Sequence, residues 1–225
     1  MMIKKSTDSG ATWSATNTSG SAPTGRGISN RMAIVAAGGD GSSADNADIY
    51  LAFGGSFSGA PIPGLNLLYN LGSGGTGVYT HLNLNISFQV GYVSMVVSGN
   101  GNSDPTSNVY ISYQDYNDDD IYFFRRNVVA GGPDTSKPIV VNSSSNKANS
   151  IAIGLEAGAN TNVFIVWLES TSTIHRVFFS KSVDNGQTFL LVPLEIASGS
   201  YWNYKAINIC ADGNNNLYVS YTEIK

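Results

Sequence analysis

Few segments of the chain concentrate residues able to do chemistry. The run Asp115-Tyr116-Asn117-Asp118-Asp119-Asp120 carries four carboxylates in six residues, and oxygen ligands at that density suit a hard cation such as Ca2+. Asp115, Asp118 and Asp120 are the candidate ligands. Their spacing is not that of an EF-hand loop, and a solvated hairpin tip explains the same run without any metal. The segment Tyr201-Trp202-Asn203-Tyr204-Lys205 combines aromatic rings with a basic group, a pairing that stacks on sugar faces and anchors protein interfaces. That segment is expected in a loop that enters a strand of the repeat described below, and Arg26, Arg31, Phe88, Tyr92 and Lys147 in the equivalent loops. With Tyr201, Trp202, Tyr204 and Lys205, the residues Arg26, Arg31 and Tyr92 form a candidate ligand-binding set. The competing reading makes Trp202 and Tyr204 core wedges.

The remaining reactive residue types are dispersed. His81 and His175 are isolated by sequence, and no Ser/His/Asp constellation, paired CxxC or phosphate-cradling glycine loop is evident. Cys210 is the one cysteine and stands in the apolar run Ala206 to Ala211, where a buried, inert thiol is expected. The net charge is −4, with no concentrated basic patch, so nothing supplies the phosphate neutralisation that nucleic-acid binding requires. No apolar run is long enough to span a bilayer as a helix. Charged residues make up 12% of the chain, about half of the roughly 25% usual in soluble domains. Asn, Ser and Thr take their place, a composition that points to an extracellular or cell-surface location, although Met1 to Lys5 contains no apolar leader.

The elements that would hold these residues are strands. Ile49 to Phe53, Val109 to Tyr113, Val163 to Trp167 and Leu217 to Tyr221 share one alternating aromatic and β-branched pattern. Their starts are 60, 54 and 54 residues apart, long enough for a four-stranded propeller blade. Each follows a strand of a second type: Met32 to Ala37, Val93 to Ser98, Ile151 to Glu156 and Ile207 to Asp212. In these, bulky residues (Met32, Val93, Ile151, Ile207; Ile34, Met95, Ile153, Ile209) alternate with mostly small ones (Ala33, Ser94, Ala152, Asn208; Val35, Val96, Gly154, Cys210). An innermost propeller strand needs this asymmetry, bulky residues packing between blades and small ones crowding the axis. Outer strands are expected at Leu65 to Tyr69 with Tyr79 to Leu84, Ile121 to Arg126 with Pro138 to Val141, and Arg176 to Lys181 with Phe189 to Leu194. The expected architecture is all-β: one propeller domain over residues 1–225, with blades at 28–86, 90–142, 147–197 and 203–225. Residues 1–18 complete the last blade, so the ring closes within it; Met2 to Lys5 and Ala11 to Ala15 supply its outer strands, covering edges that would otherwise be exposed.

Two turns share a specific sequence: Ser6-Thr7-Asp8-Ser9-Gly10-Ala11-Thr12-Trp13 and Ser182-Val183-Asp184-Asn185-Gly186-Gln187-Thr188-Phe189. A short Asp side chain can accept from backbone N–H groups of its own turn, Gly takes the positive φ of a tight reversal, Thr ties the far side and the aromatic anchors the turn. Ser6, Asp8, Gly10, Thr12 and Trp13, and Ser182, Asp184, Gly186, Thr188 and Phe189, resemble the Asp box of BNR-repeat, sialidase-like β-propellers. The corresponding turns Gly72 to Gly77 and Ala130 to Asp134 keep only the glycines. In that family the box joins the two outermost strands of a blade, away from the active site, so the resemblance implies a fold and no activity.

The resemblance also implies what a sialidase would need: three arginines around a carboxylate, a Tyr nucleophile assisted by Glu, and an Asp acid/base. The chain has five arginines, Arg26, Arg31, Arg125, Arg126 and Arg176, and none matches the family motif. Arg125, Arg126 and Arg176 fall on predicted outer strands. Glu169 and Glu223 hold equivalent repeat positions and read as strand-end residues. The expected function is therefore a non-catalytic binding module for a glycan or protein partner. A sialidase-like glycoside hydrolase and a structural unit that associates with copies of itself by strand exchange are the alternatives.

Overall fold

Strand formation follows from side chains that fill both faces of a pleated sheet. Val109-Tyr110-Ile111-Ser112-Tyr113 alternates two rows of bulky residues, and all of it is buried, as a strand packed on both sides must be. A computed structural model describes residues 2–3, 11–12, 17–18, 32–38, 48–55, 64–70, 80–83, 90–99, 107–127, 139–142, 147–156, 161–200, 203–214 and 216–224. These contain sixteen strands and no helix, hence no helix long and apolar enough to cross a membrane.

Three four-stranded antiparallel meanders follow one another. The first is β3 (Met32–Ala37), β4 (Asp48–Gly55), β5 (Gly64–Asn70) and β6 (Thr80–Asn83). The second is β7 (Val90–Val97), β8 (Asn108–Asp115), β9 (Ile121–Asn127) and β10 (Ile139–Asn142). The third is β11 (Lys147–Glu156), β12 (Asn162–Ser170), β13 (His175–Ser182) and β14 (Leu194–Gly199). A two-stranded sheet, β15 (Asn203–Ala211) and β16 (Leu217–Ile224), comes last. β1 (Met2–Ile3) and β2 (Asn17–Thr18) pair with each other, and among the described residues no ladder joins them to β16. The partner of Met2 and Ile3 is thus Asn17–Thr18, beyond the expected 11–15.

The sheets pack in a row, first strand against first strand: β3 on β7, β7 on β11 and β11 on β15. Three cores fill the successive clefts. Ala33 and Val35 of β3 meet Val93, Met95 and Val97 of β7 in the first. Tyr92 and Val96 meet Ile151 and Ile153 of β11 in the second, and Ala152 meets Ile207 and Ile209 of β15 in the third. Trp167, Tyr110 and Tyr113 are fully buried; large apolar side chains contribute about 1.5–3 kcal/mol each on burial.

This arrangement corrects three expectations. The small faces of the first strands do not merely crowd an axis, because they receive the bulky face of the next sheet. A Cβ on Gly154 would stand 3.2 Å from Ile209 Cγ2, and Ser94 Oγ accepts from Ile153 N–H at 3.3 Å. Cys210 is exposed rather than buried, since it lies on the face of the last sheet that no further sheet covers among the described residues. The fourth strand of the third sheet is Leu194–Gly199, displaced from 189–194, because Phe189 is held in the preceding turn and Leu190 N–H bonds Lys181 O at 3.2 Å. Two of the three described outer edges carry register shifts, between Val140 and Asn142 on β10 and between Glu195 and Ala197 on β14; β6 pairs without one. Such bulges blunt an edge against further strand pairing.

Candidate functional site

The turn after β13 is closed by its own side chains. Ser182 Oγ accepts from Gly186 N–H at 2.9 Å and donates to Asp184 Oδ1 at 2.6 Å. Asp184 Oδ1 accepts from Gln187 N–H at 3.0 Å and Thr188 N–H at 2.9 Å, and Oδ2 from the Thr188 hydroxyl at 2.5 Å. Partial burial acts to raise the Asp184 pKa, but the donors from Ser182, Thr188 and Gln187 outweigh it and hold the carboxyl at about 2. Gly186 has φ 80°, and a Cβ there would lie 2.5 Å from Phe123 Cζ. Phe189 meets the same Phe123 ring edge to face at 4.9 Å. The Tyr110 hydroxyl donates to Asn185 Oδ1, and Arg125 Nη1 donates to Asn185 O at 2.5 Å. The turn therefore clamps the third sheet to the second. Of the matching N-terminal turn, Thr12 is exposed, while Ser6, Asp8, Gly10 and Trp13 lie outside the described residues.

The acidic run forms the β8–β9 hairpin, where Asp115 N–H bonds Asp120 O at 3.1 Å. Asp115 Oδ1 accepts from Asn117 N–H at 2.8 Å, Asp118 Oδ1 from Asp120 N–H at 3.0 Å and Asp118 Oδ2 from the Tyr122 hydroxyl at 2.7 Å. Gln114 Nε2 donates to Asp119 Oδ1 at 3.0 Å, and Asp119 takes φ 62°. Tyr113 and Tyr122 stack with centroids 5.5 Å apart. Burial pushes the Asp115 carboxyl up to about 6; the Asn117 N–H works against this, and the charges of Asp118 and Asp120 reinforce it. Tyr113 and Tyr122 are likewise raised, by burial first and by the aspartates around them. Asp115 and Asp120 are buried while Tyr116, Asn117 and Asp118 are exposed, and among the described residues no three His, Cys, Asp or Glu side chains converge as a metal site would need.

The sequence reading pairs Glu169 with Glu223 but misses their third member, Asp115. Asp115, Glu169 and Glu223 stand 54 residues apart, each two residues after the aromatic that ends a second-strand pattern: Tyr113, Trp167 and Tyr221. The aromatic-x-acid spacing was a usable signal, hidden because Asp115 also belongs to a loop-like acidic run. Glu169 is 4% exposed, and its Oε1 accepts from Trp167 Nε1 and from Asn142 Nδ2, both at 2.8 Å. Asn142 ends β10, so this carboxylate joins two sheets. In the second sheet, Asp115 Oδ2 and Tyr113 Oη are buried with no hydrogen-bond partner among the described residues.

Arg125, Arg126 and Arg176 lie on third strands, as expected, and all engage the scaffold. Arg125 holds the clamp just described; Arg126 is buried with its guanidinium 5.4 Å from the Tyr69 ring centroid in the first sheet; Arg176 Nε lies 3.5 Å from Glu195 Oε2. His175 Nδ1 is 2.6 Å from Ser170 Oγ, and His81 is in β6.

The candidate ligand-binding set is only partly in view. Arg26, Arg31, Tyr201 and Trp202 lie outside the described residues. Tyr204 and Lys205 belong to β15, with Tyr204 registered opposite Glu223, so they are strand residues rather than loop residues. Tyr92 also sits in a strand, β7, and packs half-buried against the second core, because the register shift between Val90 and Val93 starts the strand ahead of it. No protein-family model and no curated protein matches the chain.

Proposed function

We propose that the chain is a non-catalytic binding module, a small β-propeller of Asp-box type that meets a glycan or protein partner through the loop ends of its sheets. Support for the propeller comes from three consecutive four-stranded meanders packed first strand to first strand and from the hydrogen bonds of the 182–189 turn. On this reading the two-stranded sheet β15–β16 is the inner half of a fourth blade, completed by N-terminal strands.

One observation carries the binding reading over the hydrolase. Of the residue types a sialidase needs, Arg125, Arg126 and Glu169 are engaged in contacts between sheets and Arg176 pairs with Glu195 inside the third sheet, whereas the β8–β9 hairpin presents Tyr116, Asn117 and Asp118 to solvent. An aromatic ring beside hydroxyl-accepting carboxylates is the chemistry that recognises a sugar face. Glycan arrays and pull-downs with Tyr116→Ala, Trp202→Ala and Tyr204→Ala variants test it. Loss of a captured ligand in at least one variant is expected, and binding unchanged in all three removes the proposed surface.

A further inference from the structure

The row of sheets repeats one interface three times and leaves half of it open at each end. At the internal interfaces the bulky stripe of a first strand is covered: Met95 is 7% exposed, Ile151 7%, Ile153 4% and Ile207 4%. The equivalent stripe of the first sheet is not, since Met32 is 51% and Ile34 56% exposed. Behind it on β4, Leu51 and Phe53 are already buried, so the opening is confined to β3, where every internal interface seats a first strand. At the other end, Asn208 and Cys210 occupy the positions of Ser94 and Val96, or of Ala152 and Gly154. They are exposed together with Tyr218 and Ser220, which stand opposite Cys210 and Asn208 on β16. One end is the bulky half of the repeated interface and the other is its small and polar half. Met32, Ile34, Asn208, Cys210, Tyr218 and Ser220 are uncharged, and the carboxylate of Asp212, which accepts from the Tyr218 hydroxyl at 3.5 Å, borders the contact, where it keeps its water if it stays at the rim.

We infer that two copies of this chain join head to tail, the outward face of β15–β16 in one copy seated on the β3 stripe of the other. The occupant follows from continuity: the contact extends the packing that already joins β3 to β7, β7 to β11 and β11 to β15, and among the described residues no comparable packing brings β15 to β3 of the same chain. Because the two joined surfaces differ, the contact is heterologous and gives a discrete particle when it closes on itself. Among the described residues β15–β16 is paired with no outer strands, unlike the other three sheets, so strands completing that blade are exchanged between copies at little cost. The inference makes the propeller proposed above a ring of two copies rather than of one, and it is independent of any ligand at the β8–β9 hairpin.

The single native cysteine makes the test direct. An Ile34→Cys, Cys210→Ser chain is mixed with a differently tagged chain that keeps Ile34 and Cys210, and the mixture is oxidised. A disulfide-linked dimer bearing both tags is expected, and light scattering of the unmodified protein should give a discrete mass above the 23.8 kDa of one chain. Ile34→Asp and Tyr218→Asp, acting from opposite sides of the contact, should each return the mass to that of one chain while leaving the far-UV circular dichroism of a β protein. A chain carrying Ile34→Cys with Cys210 intact that links only within itself would overturn the inference in favour of closure in one chain. So would a single-chain mass across a concentration series.

Discussion

The loop ends of the second and third sheets hold the same design with side chains of different length. In the third, Trp167 and Glu169 are bonded to each other and to Asn142 of the neighbouring sheet. In the second, Tyr113 and Asp115 hold the equivalent places, yet Tyr113 Oη and Asp115 Oδ2 each lack a partner among the described residues. Asp is one methylene shorter than Glu, and its other oxygen is held by Asn117 N–H, so it turns into the hairpin instead of back toward its aromatic. The outcome is a carboxylate that joins sheets in one place and, in the other, a carboxyl whose burial raises its pKa to about 6. Repetition of sequence fixes position, while one methylene decides whether that position is a fastening or a weak point.

Removing the fastening should have the largest effect. Glu169→Ala takes the acceptor from the buried Trp167 Nε1 and the half-buried Asn142 Nδ2, and an orphaned buried donor costs about 1–3 kcal/mol, so urea midpoints should fall by the equivalent of about 3 kcal/mol. An unchanged midpoint would show that water replaces the carboxylate.

The weak point should reveal itself through pH. Asp115 holds its proton more tightly when folded than a free carboxyl does, so its stabilising contribution is complete below about pH 4 and is lost as pH rises through about 6. Asp115→Asn removes that loss. Measured by denaturant unfolding, the variant should match the parent near pH 4 and exceed it by about 1–2 kcal/mol at pH 8. A difference independent of pH would mean that Asp115 is not the titrating group.

Lengthening the acid sharpens the comparison further. Asp115→Glu lets the carboxylate reach back to Tyr113 as Glu169 reaches Trp167, and a gain of about 1 kcal/mol is expected; a loss would indicate that the Asn117 turn matters more. The smallest effect belongs to Tyr113→Phe, which deletes a hydroxyl with no partner among the described residues and should be nearly neutral. Tyr110→Phe deletes the bond to Asn185 and should cost about 1 kcal/mol, and equal costs would undo the distinction.

Most strands could be read directly, since alternation of β-branched and aromatic residues marks a two-sided strand whatever surrounds it. Met32–Ala37 is reproduced to the residue, and the second strands differ only by extension at their ends. The misreadings concern residues whose role depends on a distant partner. Phe189 has strand-like character, but Phe123 of another sheet captures it in a turn. Cys210 sits in an apolar run, yet its burial requires a further sheet. Tyr92 reads as a loop aromatic until the register shift beside it brings it into β7. Asp115 was grouped with its acidic neighbours in the chain, whereas its structural counterpart is Glu169.

The order of the sheets bears on how the chain is made. Each cleft is filled by two segments that follow one another in sequence, so as the chain leaves the ribosome every new sheet meets a surface already formed, and domains that grow this way can condense stepwise from the N-terminal side. The 182–189 clamp on Tyr110, Arg125 and Phe123 then acts as a checkpoint in assembly. It can fasten only once the second sheet has its third strand in place, which ties completion of one unit to acceptance of the next.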